Sequence, residues 1–177
     1  MQLWSGQRGV SLIEVMMAVL IFSIGLIGLA SLMVMATRSN HAAYLRTQVT
    51  FLASNMADRM SANPGAVWSG TYNSTGYPVS SSTAGNNDCS SVCSPAALAA
   101  ADQRMWSSQL KTFLPNSKAS IACGGVTSAG YDPTAQLNLR PPYGGNCKMT
   151  VQWAERGAGD KAHSDAATQT FAWEFQP

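Results

Sequence analysis

Arg8-Gly9-Val10-Ser11-Leu12-Ile13-Glu14 opens the stretch that decides the architecture, because an uncharged apolar run follows it at once. Residues 15–36 carry no charged side chain, and 18 of these 22 are Ala, Val, Ile, Leu, Met or Phe. At about 1.5 Å per residue a helix over them is about 33 Å long, enough to cross a bilayer. Glu14 stands at the edge of this run. A carboxylate there is costly to bury, so it marks a functional position. A short positive leader and Gly9 come before Val10-Ser11-Leu12-Ile13 and Glu14.

The order Gly, hydrophobic residue, small polar residue, Leu, Ile, Glu resembles the class III signal of type IV prepilins and type II secretion pseudopilins. The resemblance implies cleavage between Gly9 and Val10 by a prepilin peptidase, with N-methylation of Val10, and an assembly role for Glu14. Two plainer readings compete. A secretory signal has an apolar core of about 7–15 residues and is cut after it; this run is longer, although Val34-x-Ala36 offers a cleavage site and so a secreted enzyme. A simple signal anchor also fits the span length. Neither accounts for Glu14 or for Gly9 at the junction.

The 177 residues bound the chain to one ordinary domain plus this anchor. Charged residues make up 11% and the net charge is +2, with no Lys/Arg cluster, so a nucleic-acid partner has no electrostatic footprint. Four cysteines in an exported domain read as two disulfides, and four allow three connectivities. Spacing favours Cys89–Cys93 and Cys123–Cys147. A zinc site is the alternative, but these spacings are not the paired C-x2-C of a zinc ribbon, and no metal or other cofactor is expected.

Beyond Arg38 the helical pattern turns amphipathic. Leu45, Val49, Leu52, Met56 and Met60 recur at helical spacing, with Arg38, Arg46, Asp58 and Arg59 at other positions. Nothing interrupts before Asn63-Pro64, and a residue before proline is pushed out of the helical region. One helix is therefore expected from about Val10 to Ala62. Gly25 and Gly28 within it suit close helix packing or local melting. Residues 65–94 read as a long Gly/Ser/Asn/Thr loop with a short strand near Tyr77–Ser80. The sequon Asn73-Ser74-Thr75 inside it is a tripeptide frequent by chance.

Ser94-Pro95 reads as N-cap and first residue of a second helix, 95–114. Its expected apolar stripe is Leu98, Met105, Leu110 and Phe113 with Trp106 beside them, and Pro115 stops it. The rest alternates with period two. Residues 120–123, Cys147/Met149/Val151/Trp153 and Phe171/Trp173/Phe175 predict strands of an antiparallel sheet with one apolar face on helical surface. Residues 156–166 are the expected turn between the last two, and 124–146 a loop that a Cys123–Cys147 bridge would close.

No catalytic constellation emerges. His41 and His163 are isolated. Ser108-x-x-Lys111 lacks the companion motifs of penicillin-binding enzymes, and the Gly-rich stretches lack phosphate-loop spacing. Asp132, Asp160 and Asp165 lack the order of a calcium loop.

The resemblance extends past the signal. Ser23–Ala30, Asn55–Pro64, Cys93 before an Ala-rich helix with Asp102 and Trp106, and Val151–Glu155 look like the PilV type of minor pilin. This implies an α+β pilin-like fold: leader 1–9, long helix 10–63 with about 15–36 in the membrane or filament core, and a periplasmic head over 64–177 with one helix and an antiparallel sheet. It implies no enzyme, inner-membrane localisation before assembly and the filament afterwards. The implied partners are other minor pilins, the major pilin, the prepilin peptidase and the inner-membrane assembly platform. A minor pseudopilin of type II secretion and a pilus-borne adhesin are the alternative readings.

Overall fold

The computed structural model describes residues 9–80, 93–124, 134–139, 141–155 and 166–177. One helix, α1 (Leu12–Ala62), spans 51 residues, about 76 Å at about 1.5 Å rise. It ends at Asn63, whose φ of −130° and ψ of 60° leave the helical region ahead of Pro64. A single turn, α2 (Pro64–Trp68), follows, then strand β1 (Ser74–Tyr77), helix α3 (Pro95–Phe113), strand β2 (Lys118–Cys123), a 3-10 helix over Thr134–Leu139, and strands β3 (Cys147–Glu155) and β4 (Ala167–Phe175). The sheet is antiparallel in the order β1-β2-β3-β4. This is an α+β, pilin-like arrangement of a long apolar helix and a small head.

The two halves of α1 have different environments. Leu45, Val49, Leu52, Met56 and Met60 are buried, as their spacing predicts, and Ala53 and Ala57 complete that face. They form one core with α3 and the inner side of the sheet, where Ala119, Ile121, Met149, Val151 and Trp153 point. The inward residues of β3 alternate strictly with less buried ones, the mark of a sheet with one covered face. Trp106, fully buried, donates its indole N–H to the Leu52 carbonyl at 2.9 Å and meets Tyr77 edge-on at 5.0 Å, fixing α3 between α1 and β1.

Three local expectations are corrected. The second helix buries Ala99, Asp102, Trp106 and Leu110, while Met105 and Phe113 are 50% and 41% exposed. Its inward stripe is rotated because the aspartate at its centre has buried partners. The strand expected at Tyr77–Ser80 lies earlier, at Ser74–Tyr77, and gives out at Pro78, which has no N–H to donate. Part of the 124–146 loop is the 3-10 helix. Ser94 caps α3 as expected, accepting the Ala97 N–H. The leader residues 1–8, Cys89, Asp132, Asp160, His163, Asp165 and most of the 156–166 turn lie outside the described residues.

Candidate functional site

Ser11 is the N-cap of α1, and its carbonyl accepts the N–H groups of Glu14 at 3.0 Å and Val15 at 3.3 Å. Glu14 therefore lies in the first turn, where a carboxylate also complements the helix dipole. Around it the surface is apolar and open: Val10, Leu12 and Ile13 are 65–81% exposed. The span-length apolar part of α1 is not buried against the rest of the chain at all. A Cβ placed on Gly25 or Gly28 meets no atom within 4 Å, so packing within the chain requires neither glycine.

The hydroxyls in this half are satisfied within the helix. Ser23 donates to the Val19 carbonyl, Ser31 to Gly28 and Thr37 to Val34. That is what an apolar medium demands, because it supplies no partner of its own. Glu14 is the sole ionisable side chain between Gly9 and Thr37. What this surface can do chemically is partition into lipid or pack against similar helices. A carboxylate one turn in can then meet a cation on a neighbour.

The head adds a polar cluster that the sequence did not announce. Asp102 is buried, and its Oδ1 accepts from Arg59 at 2.9 Å while its Oδ2 accepts the Tyr72 hydroxyl at 2.8 Å. Arg59 also donates to Asn55 Oδ1. Asn63 donates to the Tyr72 oxygen and to the Pro95 carbonyl. The cluster joins the end of α1, the segment after α2 and the start of α3. Burial first, and then the bond to Asp102, push the Tyr72 hydroxyl well above the usual tyrosine range. Burial does the same for Tyr77. The signal available beforehand was Asp102 three residues after Ala99 and four before Trp106, an acid on the buried stripe. A second buried acid, Glu155, accepts from the Trp153 indole and lies 3.6 Å from the largely exposed Arg46.

Cys123 and Cys147 stand opposite each other on β2 and β3 and form a disulfide. Cys93 is also disulfide-bonded; Cys89, its expected partner, lies outside the described residues. Ser108 and Lys111 project from exposed positions on α3. Among the described residues no group of three or more His, Cys, Asp or Glu could hold a metal.

Residues 4–30 match a family model described as the prokaryotic N-terminal methylation motif. The match runs across Gly9, Val10, Glu14 and most of the apolar run, to residue 30. It supports a type IV pilin-like protein. Such a motif implies processing by a prepilin peptidase and assembly from a membrane, and it suggests a structural protein rather than an enzyme. No curated protein and no solved structure matches the chain.

Proposed function

We propose that this chain is a minor pilin of a type IV pilus, acting in the priming of assembly and entering the filament in small amounts. The observation that carries the reading is Glu14, one turn into an apolar helix that its own chain leaves uncovered, inside a methylation motif. Residues 1–9 are the leader, 10–63 the anchor and filament helix, and 64–177 a periplasmic head. In the inner membrane the apolar half of α1 is solvated by lipid. Cleavage after Gly9 leaves an N-methylated amine on Val10. On assembly the same surface exchanges lipid for neighbouring helices, and Glu14 pairs with the Val10 amine of an adjacent subunit. Because desolvation offsets much of that attraction, the pair acts chiefly as a register device.

Deleting the gene tests this. The mutant should lose most surface pili and recover them on complementation, and the tagged chain should appear at low abundance in sheared filaments. Normal piliation with a secretion defect would instead assign the chain to a type II secretion pseudopilus.

A further inference from the structure

The two edges of the sheet are built differently. β1 spans four residues, carries a register shift against β2 and is closed by Pro78. β4 spans nine residues, pairs with β3 without a break and contains no proline, no lysine and no bulge. Natural edge strands are usually blunted by such devices. β1 is short, irregular and followed by proline, whereas β4, apart from the charge of Glu174, has none of these devices.

The hydrogen-bond phase shows which groups β4 leaves open. Gly124 N–H donates to the Asn146 carbonyl, and Cys123 N–H turns the other way, to Asn73 Oδ1. Ala154 N–H points to Pro115, on the β2 side of β3. Even-numbered residues of β3 therefore bond toward β2, and Cys147, Met149, Val151 and Trp153 bond toward β4. Their partners are Phe175, Trp173, Phe171 and Gln169. The N–H and C=O groups of Thr168, Thr170, Ala172 and Glu174 are left aimed outward, and among the described residues nothing bonds to them. On the inner side of the same strand Phe171 and Trp173 are only partly buried against the core. The edge thus offers an open ladder beside an unfinished apolar face.

We propose that the outer edge of β4 receives an extended strand from a different subunit of the same assembly. The ladder fixes the occupant as extended backbone. The partly covered Phe171 and Trp173 call for apolar side chains on its inward face, and the outward face, where Glu174 already stands opposite Lys148 of β3, calls for polar ones. A second copy of this chain fits badly. Pairing β4 with β4 in one continuous antiparallel sheet places a two-fold axis perpendicular to the sheet. That axis reverses α1, which lies along the inner face, so the two membrane helices would point in opposite directions. Pairing β4 with a second copy's β1 meets the short, irregular, proline-closed edge. This choice of partner rests on the proposed anchoring of α1 in a common membrane or filament.

Ala172→Pro tests the edge, because the N–H it removes is not used by the β3 ladder. Ala172→Val keeps that N–H and serves as its control. The full chain, purified in detergent, should melt at nearly the same temperature in both variants. Both should be processed at Gly9 in host membranes as the wild type is. Ala172→Pro should fall at least ten-fold in sheared filaments, and Ala172→Val should not. A photo-crosslinking residue at position 172 in solubilised membranes should give an adduct with another subunit, mapping to an alternating apolar–polar segment. Equal incorporation of both variants, or an adduct consisting only of this chain dimerised, overturns the proposal. If the wild type is neither processed nor found in filaments, the functional reading has failed. The edge is then judged by the crosslink alone: a mapped strand from another membrane-anchored subunit with the same kind of N-terminal signal keeps it, and an adduct with any other protein, or no adduct, removes it.

Discussion

Asp102→Ala should destabilise the head by about 3 kcal/mol. Two buried partners lose their acceptor. The Tyr72 hydroxyl, within a fully buried residue, retains only the contact with Asn63, in which it is the acceptor; an unsatisfied buried donor costs about 1–3 kcal/mol. Arg59 loses its only carboxylate among the described residues. Breaking a buried ion pair costs about 3–5 kcal/mol. Arg59 is 24% exposed at its side chain and keeps Asn55, so a discounted share of about 1–2 kcal/mol is appropriate. Near-ultraviolet circular dichroism of the full chain in detergent would report the loss as a melting point lower by about 10 °C. Asp102→Asn keeps one oxygen acceptor and should lose about half as much. A melting point for Asp102→Ala within about 2 °C of wild type would refute the assignment of Asp102 as the tie between α1, α3 and Tyr72.

Glu14→Ala should leave membrane insertion intact, since it removes a charge from an apolar segment, and should lower incorporation into filaments; normal levels in sheared pili would count against the pairing. Cys123→Ser opens a bridge between residues 24 apart, costing about 3 kcal/mol, and should reduce the steady-state amount of protein on immunoblots. The contribution of the buried tyrosines to stability should be level up to about pH 10 and fall above it. Burial raises the hydroxyls of Tyr72, Tyr77 and Tyr143, so above that pH the unfolded chain releases protons that the folded chain keeps. Absorbance near 295 nm should show these tyrosines ionising only as the head unfolds.

The sequence was most legible where one period dominates. Leu45 to Met60 repeat at helical spacing and are all buried, and Cys147 to Trp153 alternate and all face the core. It was least legible where a polar residue sits inside an apolar pattern. On α3, hydrophobicity alone favoured Met105 and Phe113, yet the helix turns Asp102 inward because Arg59 and Tyr72, 43 and 30 residues away in sequence, satisfy it. No local pattern encodes such a distant match. The open edge of β4 is likewise a property of strand order and hydrogen-bond phase, and neither can be read from Thr168 to Glu174 alone. Glu14 was legible for the opposite reason: a lone charge against a long uncharged run needs no tertiary information to stand out.

On the proposed reading the uncovered half of α1 anchors the chain and then packs in the assembly, with the Val10 amine freed by cleavage after Gly9. Intact-mass and N-terminal peptide mass spectrometry of the mature protein from host membranes tests it most directly. The mature chain should begin at N-methylated Val10 and retain the whole apolar run. A mature chain beginning at Thr37, with that run removed, would contradict it.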